Sequence, residues 1–225
     1  MEKKMKILFI SLFVFLFSGV INAGVIVSPV SVINNDFGVF SPIYSQDNMI
    51  NQSTLSTGFV SGVTDFNTYA LGNPTANCNN CSPYYFGQSG ILTGNIDFDL
   101  GSIFSINQFG LWNGSFRGIT AVEIFTSLAA DFATSTSVGT FNPTFSGDAN
   151  LDESLQVFDL IDTNAQYVRL NISNFATNIL GIAGVAFDVN SSVTVVPEPA
   201  SLALMGLGLV GLGFTRRRKS KALSA

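Results

Sequence analysis

Cys78-Asn-Asn-Cys81 brings two thiols close together in a chain of 225 residues. Two thiolates can hold a metal, cycle as a redox pair or close a disulfide. Zinc needs two further nitrogen or sulfur ligands, and the chain has no other cysteine and no histidine. A redox dithiol wants a helix N-terminus, whereas this pair lies in an Asn/Pro-rich stretch. A local disulfide between Cys78 and Cys81 is the expectation outside the cytoplasm. Its loop is so short that it should add little stability.

Asp148-Ala-Asn150-Leu-Asp152 sets oxygen ligands at alternate positions, as a calcium loop begins, and Asp159 falls at its twelfth position. Glu153 stands where such a loop needs glycine, and a strand rather than a helix follows. Calcium on Asp148, Asn150 and Asp152 is the one cofactor the sequence suggests, against the plainer reading of an acidic loop. Asp97 and Asp99 lie about 6.6–6.8 Å apart along a strand. That falls within the ~6.5–9.5 Å between the carboxyls of inverting glycosidases. Any Asp-x-Asp strand meets this spacing, so no catalytic residue is assigned. Tyr84, Tyr85 and Phe86, in the loop Asn73–Ser89, are the candidate ligand-binding residues. Their rings could stack on a sugar, with Asn79, Asn80 and Gln88 for its hydroxyls. Trp112 ends a strand and reads as packing at the edge of the core.

Composition excludes several classes. Without histidine there is no Ser-His-Asp or Cys-His catalysis. Between residues 24 and 196 only Arg117 and Arg169 are basic, against thirteen acidic residues. A body charge of about −11 without lysine rules out a nucleic-acid partner, which needs many cationic contacts. Sixteen Phe with many Ser, Thr, Asn and Gly is the usage of short strands joined by turns.

The two ends address the chain. Lys3, Lys4 and Lys6 precede the apolar run Ile7–Phe17, and Ile21-Asn22-Ala23 offers a cleavage site. This reads as a secretory signal peptide over residues 1–23, handled by the secretion machinery and signal peptidase. At the other end come Pro197-Glu198-Pro199, the apolar run Ser201–Phe214, and the basic stop Arg216-Arg217-Arg218-Lys219. With basic residues held inside at both ends, the body lies across the membrane. The apolar run is 14 residues, roughly 21 Å as a helix against about 30 Å of bilayer core, so it suits brief anchoring. Gly206-Leu-Gly208-Leu-Val-Gly211 spells a dinucleotide motif but lacks the flanking strand and the acidic residue.

Box, apolar run and basic end together resemble the PEP-CTERM sorting signal of Gram-negative bacteria. The resemblance implies that an exosortase-type membrane protease recognises the box and releases or transfers the body to the outer surface or extracellular matrix. Residues 193–225 are assigned to this signal and 24–192 to the body.

Along the body, strands are expected at Val25–Ile33, Phe59–Phe66, Gly94–Leu100, Ile106–Trp112, Ile119–Ser127, Val138–Phe141, Gln156–Leu160, Tyr167–Ile172 and Gly184–Asn190. Their spacing and turn residues argue for an all-β sandwich, and no amphipathic helix is expected. The order Ile96–Gly101, Ile106–Asn113, Ile119–Ser127, Val138–Phe141, Phe158–Leu160, Ala165–Leu170 resembles discoidin (coagulation factor 5/8 type C)-like domains. It implies a galactose-binding-like jelly-roll β-sandwich, here flanked by an N-terminal signal helix and a C-terminal short transmembrane helix. Gln166 stands where that pattern has arginine. The resemblance also implies a calcium site near the start of the domain, for which Asp47-Asn48 or Asp65 would serve. The expected function is non-catalytic binding of a neutral polysaccharide in the cell envelope or exopolysaccharide matrix. A structural matrix protein without a small ligand is the alternative, and a glycoside-processing enzyme the third reading.

Overall fold

A computed structural model of the chain describes residues 24–77 and 84–190. The expected signal helix, short membrane helix, Pro197-Glu198-Pro199 box and Arg216–Lys219 stop lie outside the described residues, as do Cys78 and Cys81. Chain contacts separate Met1–Ser191 from Ser192–Ala225. Every described residue belongs to the first unit.

The strands are β1 (Gly24–Val27), β2 (Ser31–Asn35), β3 (Thr75–Ala76), β4 (Tyr85–Phe86), β5 (Gly94–Asn113), β6 (Ile119–Ser127), β7 (Ser135–Phe141), β8 (Glu153–Ser154), β9 (Gln156–Phe175) and β10 (Gly181–Asn190). One helix, α1 (Phe66–Leu71), and two 3-10 turns, Pro42–Tyr44 and Gln46–Met49, fall between β2 and β3. All named strand pairs are antiparallel. The all-β sandwich expected from the sequence is what the chain forms.

The spine is the β5–β9 ribbon, paired from Gly94↔Ile172 to Leu111↔Gln156 with register breaks at Asp99/Phe104 and Ile106/Gln108. Gly101, with φ of +81°, sits in the first break, a conformation that glycine adopts without a Cβ penalty. One half of the ribbon carries β2 on its β5 side and β6, then β7, on its β9 side. The other half carries β10 and then β1 on β5. The two halves face each other across the core, where the rings of Phe98 and Phe187 meet at 6.5 Å.

Alternation sets the main core. Ile96 and Phe98 on β5, Val122 and Ile124 on β6, Val168, Leu170 and Ile172 on β9, and Val185 and Phe187 on β10 all point inward. β10 is buried on both faces, because a second cluster covers its other side. That cluster joins Ile26, Ala183, Ala186 and Trp112 to Phe66 and Tyr69 of α1 and to Tyr84 and Phe86. A strand covered on both faces reads as a continuous apolar run, which is what Gly-Ile-Ala-Gly-Val-Ala-Phe is.

Three expectations need correction. Phe59–Phe66 is not a strand: it leads into α1, whose N-cap Asp65 accepts from the Thr68 N–H at 2.7 Å. Val25–Ile33 is two strands rather than one, interrupted around Pro29, which has no N–H for a ladder. The segments 94–100 and 106–112 are one strand, as are 156–160 and 167–172.

Candidate functional site

Tyr84, Tyr85 and Phe86 are core residues, not a surface platform: they are 0%, 0% and 4% exposed. β4 pairs with the start of β10, Tyr85 opposite Ile182 and Phe86 opposite Gly181. Side chains alternate across a strand, so Tyr85 enters the main core while Tyr84 and Phe86 enter the second. The Tyr84 hydroxyl donates to the Ala76 carbonyl at 3.0 Å. Burial pushes its pKa up to about 12, with Asp152 and Glu153 adding to the rise and Ser115 opposing it. The Tyr85 hydroxyl is within hydrogen-bonding distance of Asn35 Oδ1 at 2.9 Å and the Gly38 carbonyl at 2.8 Å, and burial raises its pKa as well. Both phenols thus tie β4 to neighbouring backbone. Trp112 is also fully buried, with Nε1–H donated to the Pro74 carbonyl at 3.0 Å.

What lies over Phe86 is a different set of rings. Phe40 (52% exposed) stands 6.2 Å from Tyr44, and Tyr44 stands 4.7 Å from Phe86. Phe86 in turn meets Phe116 at 6.2 Å. The Arg117 guanidinium lies 4.9 Å from the Phe86 centroid and 4.6 Å from that of Phe116, within cation–π range. Burial lowers the Arg117 pKa and Tyr44 pulls it the other way.

Backbone contacts hold this patch rigid. The Phe40 N–H bonds the Phe86 carbonyl at 2.8 Å. Buried Asn48 donates Nδ2 to the carbonyls of Ile43 at 3.0 Å and Tyr84 at 3.3 Å. Phe116 and Arg117 ride on the β5–β6 turn. Its buried Asn113 donates to the Ile119 and Thr144 carbonyls at 2.9 and 2.8 Å, and accepts from the Gly114 and Ile119 N–H groups. The Arg117 carbonyl accepts from Gly181 N–H at 2.7 Å. Phe40 and Tyr44 lie between the expected strands, and nothing in their spacing marks the patch. The available clue was Arg117, one of only two cations in the body.

The carboxylates are engaged elsewhere. Asp97 is buried and takes a two-pronged contact from Arg169, Nε to Oδ1 at 2.7 Å and Nη2 to Oδ2 at 2.8 Å. Asp99 Oδ1 accepts from the Gly101 N–H at 2.7 Å and from Gln166 at 3.1 Å, so Gln166 secures the ribbon's first break. Asp148 Oδ1 accepts from both the backbone and side-chain nitrogens of Asn150. Among the described residues no group of three or more acids converges as a metal site. Asp148 closes its own turn on Asn150, and Glu153, at the glycine position, is buried and accepts from the Ser146 N–H at 2.7 Å. Asp65 caps α1, and Asn48 is the buried strap described above. Hydroxyl groups line a pocket of about 240 Å³ beside the β6–β7 hairpin, among them Thr126, Ser127, Thr134 and Thr163, but no ring faces it.

Residues 195–219 match the PEP-CTERM protein-sorting motif. No curated protein matches the chain. Solved structures similar to it include CBM32-1 from a family 31 glycoside hydrolase of Clostridium perfringens, at 13% identity over 72% of this chain and 96% of that one, TM-score 0.48. Chitosan-binding module 2 of a chitosanase/glucanase from Paenibacillus sp. IK-5, in complex with chitotriose, aligns at 17% identity over 67% and 90%, TM-score 0.44. A CBM32 module of Clostridium perfringens in complex with GalNAc-β-1,3-galactose aligns at 20% identity over 46% and 73%, TM-score 0.36.

Proposed function

We propose that the chain is exported, sorted by an exosortase-type protease through its C-terminal signal, and binds carbohydrate without turning it over. The observation that carries the binding half is the partly exposed aromatic patch Phe40–Tyr44–Phe116 on its Phe86 floor. Aromatic rings pair an apolar face with a polar tip, which suits the mixed surface of a pyranose. Exposed Ile43 extends the apolar area, and Arg117 adds donors for hydroxyls. With two cations against thirteen acids, the body would repel anionic polymers, so a neutral polysaccharide is the ligand. No ion pair drives such binding, and raising the salt should leave it unchanged.

The test is binding of the processed protein to its host's exopolysaccharide and to a glycan array. Tyr44→Ala and Phe116→Ala should each weaken binding by about tenfold or more, a loss of ~1.4 kcal/mol or more, and leave the melting temperature nearly unchanged. Tyr84→Ala should instead lose about 3–5 kcal/mol of stability, as large-to-small core changes do. If both patch variants bind like the parent, the patch is not the site. A parent that binds no glycan would leave the structural-matrix reading in its place.

A further inference from the structure

Asp188 is a buried carboxylate without a counter-ion among the described residues. It lies on β10, 2% exposed, and its Oδ1 has no hydrogen-bond partner. The body's two cations are committed elsewhere, Arg169 to Asp97 and Arg117 to the rings of Phe86 and Phe116. Opposite Asp188 stand Ile26 on β1 and Gln108 on β5. Asn107 and the charged Asp65 also bear on it. Burial and then Asp65 raise its pKa to about 6, with Asn107 pulling back. Asn107 gives its amide nitrogen to Asn190 at 3.5 Å. Asn107 Oδ1, like Asp188 Oδ1, is a buried acceptor with no donor, whereas Gln108 turns toward β9, its Nε2 donating to Asp159 at 2.7 Å. What this corner lacks is a cation rich in N–H groups.

β1 begins here. Gly24 pairs with Asn190 and Ile26 with Asp188, so Gly24 is the diagonal neighbour of Asp188 on one face. A Cβ on Gly24 would stand 2.5 Å from Asp188 Oδ2 and 2.6 Å from its Cγ. The carboxylate therefore fills the space a side chain would take. By standard bond lengths the Gly24 nitrogen lies within about 5 Å of it.

We propose that the N-terminal ammonium of Gly24, created when the signal peptide is removed after Ala23, is the counter-ion of Asp188. The inference rests on the export reading above. Signal peptidase adds water across the Ala23–Gly24 bond. Ala23 departs as a carboxylate with the leader, and Gly24 keeps an amine. An α-amine has a pKa of about 7.7–8.0, so at neutral pH it takes up a proton and brings three N–H donors to the unpaired acceptors. Leader removal thus both frees the body and supplies its missing charge.

The experiment uses protein exported and processed by its host, with the N-terminus sequenced. It compares the parent, Asp188→Asn, a chain with one alanine inserted after Ala23, and the double variant. The insertion carries the amine about 3.3–3.6 Å outward. The parent should begin at Gly24, and its α-amine should be acylated at least tenfold more slowly than that of Asp188→Asn. Each single change should lower the melting temperature by several degrees, and the double variant should fall no further. Equal acylation in the parent and Asp188→Asn, additive losses in the double variant, or full rescue of the insertion by Ca²⁺ would each overturn the pairing. A mature chain starting elsewhere overturns the cleavage site and the pairing together; one starting at Gly24 with a reactive amine overturns the pairing alone.

Discussion

At the scale of single residues, two aspartates show opposite ways of burying a carboxylate. Asp97 has its guanidinium, and Asp97→Asn should cost about 3 kcal/mol, the low end for breaking a buried pair, because Arg169 keeps 26% of its side chain exposed. Urea unfolding measures this, and an unchanged midpoint would show that the pair contributes nothing. Asp188 behaves differently while residues before Gly24 remain attached. Its folded pKa of about 6 lies above the ordinary 3.8. Stability from this group is therefore present below about pH 4 and is lost as pH rises through about 6. Precursor protein should lose stability over that window, and Asp188→Asn should flatten the slope. A precursor whose melting temperature rises from pH 4 to 6, with the same slope in the variant, would contradict the assignment.

At the scale of elements, legibility followed periodicity. β6 matches its expected span at Ile119–Ser127, and within the expected strands Gly94–Leu100 and Tyr167–Ile172 the alternating Ile96-Phe98-Leu100 and Val168-Leu170-Ile172 faces point inward. The sequence could not show that β5 and β9 run on through their polar middles. Continuity there comes from pairing across the ribbon, a tertiary effect. α1 was missed because one and a half turns give too little periodicity to register. Asp65 at its N-cap, with Phe66 and Tyr69 three apart facing the second core, was the legible trace. The same limit hid the candidate site. Three adjacent aromatic residues in a loop look like a platform until β4 pairs with β10 and turns them inward. The rings that do remain exposed are brought together only by the fold. Asp65→Ala should cost about 1 kcal/mol, lowering the melting temperature by roughly 2–4 °C for a domain of this size. Faster amide exchange confined to α1 would accompany it, and an unshifted melting temperature would show that the cap adds no stability.

At the scale of the whole molecule, the proposed reading gives the two ends the address and the body the binding. Intact-mass analysis of protein from the native host should give a chain beginning at Gly24 and lacking Arg216–Ala225; a retained basic tail would argue against cleavage at the sorting signal. For an exported body, as proposed, the scarcity of cations has a consequence. Trypsin-like proteases cut after lysine or arginine, so between residues 24 and 196 they have two bonds to attack. One follows Arg169 in the interior of β9, a residue clasped by Asp97. The other follows Arg117, whose side chain lies on two rings and whose carbonyl is bonded to Gly181. A body built this way should outlast most of its neighbours among the extracellular proteases that read basic residues.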